Sequence, residues 1–186
     1  MSKTRLSKED WLAAGFRALA TSGPSGVQIN ILCSALGTTK GSFYWHFKDL
    51  NAYKKAMLEL WITKGALEII DELQKLDTAR ARLDALLVAA ARPAPEGFGG
   101  RRIEPAIRAW ALSDDMVAGY LERIDAARLG FVMDTLTEAG LTRPGLAELI
   151  YGAYIGLDDL AARGREDMGD AFAALSGLLE AISLEG

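Results

Sequence analysis

The stretch that decides the fold is residues 26–47, which read GVQINILCSALGTTKGSFYWHF. Apolar residues recur at helical spacing on both sides of Gly37, which can adopt the positive φ of a tight turn because it lacks a Cβ atom. Phe43 and Phe47, four residues apart, would attach the second helix to a core. The pattern predicts two short helices, over about 28–35 and 39–45, arranged as a helix-turn-helix.

Several side chains of the second helix are not needed for packing against the core. They divide between its exposed face and the rim of that face, and they are Thr39, Lys40, Ser42, Tyr44, Trp45 and His46. A short helix that presents small polar groups, a lysine and aromatic rings, and is held by a first helix, is suited to reading a DNA major groove. For His46 two interpretations stay open, a structural role and a contact with phosphate.

The rest of the chain also reads as helix, and no stretch shows the period-2 alternation of a strand. Ser7 followed by Asp10 predicts a capping-box start for the first helix, and Asp49 can cap a long helix over about 50–75. Residues 92–100, RPAPEGFGG, predict a mobile loop. We therefore predict an all-α protein with about nine helices, the later ones lying over about 78–91, 105–113, 115–140, 144–162 and 166–184.

The charge is distributed unevenly along the chain. Residues 1–50 carry six Lys and Arg against three Asp and Glu, a net +3, so that the remainder carries −7 of the total of −4. A basic head on an acidic body indicates that only the head meets a polyanion, because phosphate contacts depend on local positive potential.

Composition excludes several other classes of protein. One cysteine cannot form an intramolecular disulfide and one histidine cannot build a multi-histidine metal site, so we predict no metal and no cofactor. No apolar run approaches the roughly 18 residues of a membrane helix, and residues 1–11 lack the apolar core of a signal peptide. We expect a cytoplasmic protein.

The segment GTTKGSFYWHFK, residues 37–48, resembles the G-[VT]-[ST]-x-[GP]-[ST]-[LF]-Y-x-H-F-x segment of the TetR/AcrR family of transcriptional regulators. The resemblance covers about residues 5–60, and beyond them only helix count and length. It implies a three-helix DNA-binding domain over 1–48 and an effector-binding and dimerisation domain over 49–186. The implied function is that of a homodimer, not an enzyme, which binds operator DNA, most often as a repressor, and is released by a small-molecule effector.

The resemblance also implies which residues contact DNA. The matching positions are Gln28, Asn30, Thr39, Lys40, Gly41, Ser42, Tyr44, Trp45 and His46, with Lys48 beside them. Two residues depart from the pattern. Many members carry Lys where this chain has Leu50 and Thr where it has Gln28. Each departure predicts a lost phosphate contact or a weaker helix cap, and hence a modest loss of affinity.

The aromatic and sulfur-containing residues of the body have two interpretations, a plain core and the lining of an effector pocket. They are Trp61, Trp110, Met116, Tyr120, Phe131, Met133, Tyr151 and Tyr154. Cys33 falls on the inner face of its helix, where a free cysteine behaves as a small hydrophobe, and a redox-sensing role is the alternative.

The last helix carries apolar residues at the spacing of a coiled-coil seam. Met168, Phe172, Leu175, Leu179 and Ile182 are separated by 4, 3, 4 and 3 residues. Together with the stripe over 146–161, which contains Leu149, Ala153 and Leu157, they predict a four-helix dimer interface across a two-fold axis.

Two other functional classes compete with a DNA-binding regulator. One is an all-α enzyme or ligand carrier whose head has lost its DNA role, and the other is a structural helical adaptor. The charge distribution and the intact segment from Lys40 to His46 argue against both. A salt-dependent gel shift with the upstream DNA would separate the three classes, whereas the effector, the operator and the sign of regulation cannot be read from the sequence.

Overall fold

The computed structural model describes residues 6–164 and 169–184, with side chains as far as Ala181. Within these residues all regular structure is helical and no strand occurs, so the predicted all-α class is confirmed. The chain divides into two units, Met1–Trp61 with Ala94–Leu121 and Ile62–Pro93 with Glu122–Gly186. The first unit contains the predicted head.

Helix α1 spans Lys8–Ser22 and begins with the capping box that the sequence predicts. The Asp10 backbone N–H donates to the Ser7 Oγ at 3.1 Å, and the Ser7 backbone N–H donates to the Asp10 carboxylate at 2.8 Å. The bond from the Ser7 N–H holds the pKa of the Asp10 carboxyl below its usual value. These reciprocal bonds satisfy two N–H groups and fix the direction in which the chain enters α1.

Helices α2, Ile29–Ala35, and α3, Lys40–His46, lie close to their predicted positions. Between them Gly37 has a φ of +60°, a conformation that costs residues with a side chain roughly 1–2 kcal/mol. Gln28 occupies the N-cap of α2 but makes no capping bond, and its Nε2 donates instead to the Ser25 carbonyl at 2.9 Å. The start of α2 is therefore capped less well than a Thr would cap it.

Aromatic rings attach α3 to α1 and to α4, which spans Leu50–Ile62. The Phe43 ring centroid lies 5.3 Å from that of Trp11, 5.4 Å from that of Phe47 and 5.4 Å from that of Tyr53. The Tyr53 hydroxyl donates to the Trp11 carbonyl at 2.7 Å, and burial raises the pKa of this hydroxyl. Each such ring pair contributes roughly 0.5–1.5 kcal/mol beyond the area it buries, so α3 is held rigidly.

The predicted long helix over about 50–75 is interrupted by a π-turn. α4 continues through this turn, Thr63–Leu67, into α5, Glu68–Gln74. The Gly65 carbonyl within the turn accepts two hydrogen bonds from the Arg128 guanidinium, from Nε at 3.2 Å and Nη2 at 3.1 Å. π-turns are rare and often occur at functional sites. The division between the two units falls at the start of this one.

Three further helices follow. Thr78 caps α6, Ala79–Ala91, because its Oγ1 accepts a bond from the Ala81 N–H at 3.1 Å. Two 3₁₀ turns, Glu96–Phe98 and Gly100–Arg102, lead into α7, Ile103–Ala111. Helix α8 then spans Asp115–Glu138.

The sequence predicts a mobile loop over residues 92–100. In the structure the glycine-rich segment 94–102 packs against the head. The Phe98 ring lies 5.7 Å from that of Phe16, and the Arg17 Nη1 donates to the Gly97 carbonyl at 3.3 Å. α4 is attached to the same part of the unit, because the Lys54 ammonium lies 3.3 Å from the Asp114 carboxylate. Residues 94–121 are therefore part of the structural support of the head.

The second unit has its own apolar core, which the last two helices complete. These are α9, Leu146–Ala162, and α10, Gly169–Leu184. The core side chains come from α6, α8, α9 and α10 and include Leu83, Leu87, Val132, Leu136, Ile150, Phe172 and Leu179.

This core corrects two members of the predicted dimer seam. Phe172 and Leu179 are only 4% and 3% exposed within their own chain, so they are not available to a second chain unless the unit opens. Leu157 and Leu175 also pack against this core but are only partly buried, so their place in an interface stays a prediction. Periodicity indicates that one helix face is buried, but not whether the neighbour that buries it belongs to the same chain. Met168 and the side chain of Ile182 lie outside the described residues.

Gly15 marks a very close approach of α1 to α4. A Cβ at this position would lie 2.1 Å from the Tyr53 Oη and 2.5 Å from the Met57 Sδ, and both side chains are buried. We expect Gly15→Ala to lower the free energy of unfolding by roughly 1–3 kcal/mol, as overpacking does. Urea denaturation measures the change.

The matched control is Gly119→Ala, an exposed helical position in α8 where an added Cβ meets no atom within 4 Å. Because alanine favours helix over glycine, this variant should gain up to roughly 1 kcal/mol. Equal responses of the two variants would contradict the close approach at Gly15.

Candidate nucleic-acid interface

The predicted DNA-contacting residues lie on the surface of the first unit. Tyr44 is 54% exposed and Trp45 is 70% exposed, which is high for large aromatic side chains. Ser42 and His46 are half-buried, and the exposed members of the set are Gln28, Asn30, Thr39, Lys40, Gly41 and Lys48. Phe43 and Phe47 on the opposite face of this segment are buried. α3 therefore has one face in the core and one face open.

Gly41 leaves the first turn of α3 without a side chain on its exposed face. A Cβ there would meet only the Thr39 Oγ1, at the ordinary contact distance of 3.7 Å. The fold of the head therefore does not require glycine at this position. A missing side chain on an exposed helix face lets the backbone approach a ligand closely, which suits the predicted role of Gly41.

His46 makes a backbone contact that its sequence pattern does not reveal. Its Nε2 lies 2.9 Å from the carbonyl oxygen of Leu6. A carbonyl only accepts, so Nε2 carries the proton and this N–H is already bonded to the backbone. Of the two roles open for His46, the structural one is favoured.

Cys33 and Asp49 behave as their positions predict. Cys33 is 7% exposed, and burial raises the pKa of its thiol, which disfavours the reactive thiolate. Asp49 caps α4, because its Oδ1 accepts a bond from the Ala52 N–H at 2.7 Å. Leu50, the residue that departs from the family pattern, is half-buried in the first turn of that helix.

The predicted pocket residues are divided between the two units. Trp61, Trp110, Met116 and Tyr120 belong to the first unit, whereas Phe131, Met133, Tyr151 and Tyr154 belong to the second. The Lys54 ammonium lies over the Trp110 ring, 5.0 Å from the centroid of that ring. The Tyr120 hydroxyl donates to the Glu59 carboxylate at 2.7 Å. Met133 is 48% exposed and does not face the interior, which corrects its assignment to an internal pocket.

Two of the predicted tyrosines belong to a polar cluster in the second unit. The rings of Tyr151 and Tyr154 stack at 6.0 Å, and the Arg128 guanidinium lies 5.2 Å from the centroid of Tyr154. The Tyr151 hydroxyl donates to the Asp125 carboxylate at 2.7 Å, and Asp158, seven residues beyond Tyr151 on α9, is buried. Sequence reasoning missed Asp125 and Arg128 of this cluster, and it also missed that Asp158 shares one helical face with Tyr151 and Tyr154.

Sequence reasoning also missed an open groove between α5 and α6. Its volume is about 890 Å³, and Ile69, Leu73 and Val88 contribute to its apolar lining. Lys64 and Glu68, which pair at 2.8 Å, lie at its edge. The groove is confined to the second unit.

The described part of the chain contains no group of three or more His, Cys, Asp or Glu side chains that could hold a metal ion. No helix in it has the length and apolar character that crossing a bilayer requires.

Helices α2 and α3, joined by the turn at Gly37, form a helix-turn-helix in which α3 keeps one face exposed. Residues 12–51 match the family model for bacterial regulatory proteins of the tetR family. A search of curated protein sequences gives no significant match. The predicted resemblance to TetR/AcrR transcriptional regulators is confirmed, in sequence by the head and in fold by the solved structures that follow.

Solved structures of similar fold cover nearly the whole chain. A structure described as a TetR-family transcriptional regulator from Rhodococcus sp. has a TM-score of 0.73 at 24% identity, covering 95% of this chain and 97% of that one. A regulator from Saccharomonospora viridis in complex with choline has a TM-score of 0.68 at 18% identity, covering 91% and 93%. FadR from Bacillus subtilis in complex with stearoyl-CoA has a TM-score of 0.65 at 15% identity, covering 95% and 98%.

Proposed function

We propose that this chain is a homodimeric transcriptional regulator that binds an operator through α3 and acts as a repressor released by a small molecule. The observation that carries the proposal is the exposed face of α3, where Lys40 and Tyr44 stand on a buried aromatic base. Lys40 can reach a guanine edge or a phosphate, and the Tyr44 hydroxyl can reach a phosphate oxygen. The net +3 over residues 1–50 supports the same polyanionic partner.

Homodimerisation is supported by the outer faces of α9 and α10. On α9, Leu149 and Leu160 are 66% and 44% exposed, and Gly152 and Gly156 between them are exposed as well. On α10 the exposed residues include Leu178, at 63%, with Ala173, Ala174, Gly177 and Ala181. Small residues allow helices to approach closely, and exposed leucines beside them provide apolar area to bury.

We therefore assign the dimer interface to these outer faces, with Leu149 and Ala153 retained from the predicted set. A second copy of the chain is the occupant that the proposal requires. One helix-turn-helix makes too few contacts to select a single genomic site, whereas two heads related by a two-fold axis read two half-sites one helical turn apart.

For the effector, we propose a site at the polar cluster of the second unit. The similar regulator from Saccharomonospora viridis is described in complex with choline and the one from Bacillus subtilis with stearoyl-CoA, so proteins of similar fold bind chemically different ligands. Here the stacked tyrosine rings and the Asp125 carboxylate would provide aromatic and polar contacts for a small molecule. Arg128 contacts Tyr154 in this cluster and also donates to the Gly65 carbonyl in the π-turn. An effector bound at the cluster would therefore act on the helical run that begins at α4.

Footprinting tests the DNA-binding function. Purified protein should protect a palindromic site in the intergenic DNA upstream of its own gene, with half-sites about one helical turn apart, because each subunit presents one α3 to the major groove. Competition with unrelated duplex DNA at physiological salt gives the specificity ratio. Equal affinity for the upstream and unrelated DNA would contradict the proposal.

Thermodynamic linkage tests effector release. A thermal-shift series that includes choline and stearoyl-CoA should yield a compound that raises the Tm, and this compound should weaken operator binding. By reciprocity, operator DNA must lower the affinity for that compound by the same factor. Arg128→Met should reduce this factor because it removes both bonds to Gly65. A compound that stabilises the protein without any effect on operator affinity would contradict release at this site.

A further inference from the structure

The proposed function leaves the groove between α5 and α6 unused. Its volume of about 890 Å³ lies within the range of small-molecule sites, roughly 300–1,000 Å³. Helix α6 lines the groove from Ala81 to Arg92, a distance of about 16 Å at the helical rise of 1.5 Å per residue. The groove is therefore large enough to hold an extended small molecule.

The middle of the groove is apolar and open to solvent. Leu73 at its base is buried, Ile69 and Ala85 are half-buried, and Val88 is 55% exposed. Covering apolar side chains of this kind removes them from water, which favours binding in proportion to the area covered. The middle of the groove thus suits the apolar body of a ligand.

Two carboxylates line the end of the groove beside the turn that joins α5 to α6. Glu72 is in the last turn of α5, and Asp84 is in the second turn of α6. The Glu72 carboxylate lies 2.7 Å from the Lys75 ammonium, but this ammonium also lies 3.0 Å from the Asp71 carboxylate. Hydrogen bonds to both carboxylates raise the pKa of Lys75. One cation therefore serves two carboxylates.

Asp84 shares its cation in the same way. The Arg80 guanidinium lies 3.1 Å from the Asp84 carboxylate and 2.6 Å from that of Glu180 on α10. At this end of the groove four carboxylates are thus joined to two cations, which leaves two negative charges without compensation. A cationic group bound beside Glu72 and Asp84 would reduce this surplus.

The opposite end of the groove is less suited to a charged ligand. Lys64 and Arg92 lie there, furthest from the turn between the two helices, and Lys64 is already paired with Glu68 at 2.8 Å. Arg92 adds a positive charge, but it is the C-cap residue of α6, where the last carbonyl groups of the helix disfavour an anion. The charges of the groove therefore favour a cation near the turn over an anion at the far end.

We propose that this groove binds an organic cation with an apolar body, such as an alkylammonium compound. The charged group lies beside Glu72 and Asp84, and the apolar body covers Leu73 and Val88. The groove is a second ligand site, distinct from the polar cluster around Tyr154. The inference goes beyond the proposed function and does not depend on DNA binding.

Three probes with the same alkyl chain test the preference for a cation. Hexylamine is cationic at neutral pH, hexanoate is anionic and hexanol is uncharged. NMR titration of the full-length protein should give the lowest Kd for hexylamine, up to about five-fold below that of hexanol, because exposed ion pairs contribute little more. Added salt should reduce this difference. Equal affinities for hexylamine and hexanol, or tighter binding of hexanoate, would overturn the inference.

Variants of the lining locate the binding site. Glu72→Gln with Asp84→Asn should remove the preference for hexylamine and leave the affinity for hexanol unchanged. Val88→Arg places a cation and a long side chain over the apolar lining and should abolish binding of hexylamine. The matched control is Met133→Arg, at a position in α8 that is 48% exposed, and it should bind hexylamine like the unaltered protein. Hexylamine binding that persists in Val88→Arg would contradict a site in this groove.

Tyr154→Leu separates the groove from the polar cluster. It removes the ring contacts of Tyr154 with Tyr151 and Arg128 and should leave hexylamine binding intact. Binding that is lost in Tyr154→Leu but kept in Val88→Arg would place the cation at the polar cluster and overturn the groove site alone. A protein without preference for operator DNA would contradict the proposed function and leave the groove site standing. Circular dichroism and the Tm of each variant check that the fold is retained.

Discussion

Lys40→Ala is expected to weaken operator binding at least about ten-fold while leaving helix content and dimerisation unchanged. Lys40 is exposed in the first turn of α3, so its removal should change the surface offered to DNA and leave the core of the head intact. A base-reading contact is worth roughly 1–3 kcal/mol, and both subunits of a dimer lose it. Fluorescence anisotropy with a labelled operator measures the affinity.

Tyr44→Phe separates the hydroxyl from the ring in the same assay. The Tyr44 ring packs edge-on against Phe43 at 5.5 Å, and phenylalanine preserves this contact. A phosphate contact would be lost equally for operator and unrelated DNA, whereas a base contact would be lost for the operator only. Lys75→Ala, which removes a cation paired with Asp71 and Glu72 in the second unit, is the matched control. If both head variants bind like the control, α3 is not the DNA-reading helix.

The head was predictable because its determinants are local. The capping box at Ser7, the positive φ at Gly37 and the i, i+4 pair of Phe43 and Phe47 each act within a few residues. Spacing alone therefore placed α1, α2 and α3 close to their observed bounds. The contact of His46 with Leu6 was not accessible in this way, because it joins residues 40 positions apart.

The π-turn and the position of segment 94–102 are likewise determined by contacts with residues that are distant in sequence. The bonds between Arg128 and Gly65 join positions 63 residues apart, and no local pattern in TKGAL distinguishes a π-turn from a continuous α-helix. The glycines and prolines of 92–100 correctly predict a segment without α-helix. Its attachment to α1 depends on Phe98 meeting Phe16, which composition cannot reveal.

Phe172 and Leu179 were wrongly assigned to the dimer seam for a different reason. The heptad spacing of α10 is real, but its inner residues meet α6, α8 and α9 of the same chain. An interface between copies uses whatever face the intrachain core leaves open, and on α9 and α10 that face carries glycine, alanine and a few leucines. A pattern of small residues has no strong period, so it could be found only once the burial of each side chain was known.

Leu149→Glu combined with Leu178→Glu is expected to convert the dimer into folded monomers. The two side chains are 66% and 63% exposed in the single chain, so a charge there costs the monomer little. In a dimer built on these faces each carboxylate would be buried without a partner, a penalty that exceeds the value of the lost contacts. Sedimentation velocity measures the mass, and operator binding should fall toward the non-specific level, typically 10³-fold or more.

Two comparisons make this result decisive. Leu112→Glu places the same charge on a leucine that is 90% exposed in the turn after α7, and it should leave the dimer and the operator affinity intact. Leu175→Glu with Leu179→Glu should instead unfold the second unit, since Leu179 lies in its core, and loss of helical circular dichroism would distinguish this from dissociation. A Leu149 and Leu178 variant that remains dimeric would place the interface elsewhere, and a monomer with undiminished operator affinity would show that one head suffices.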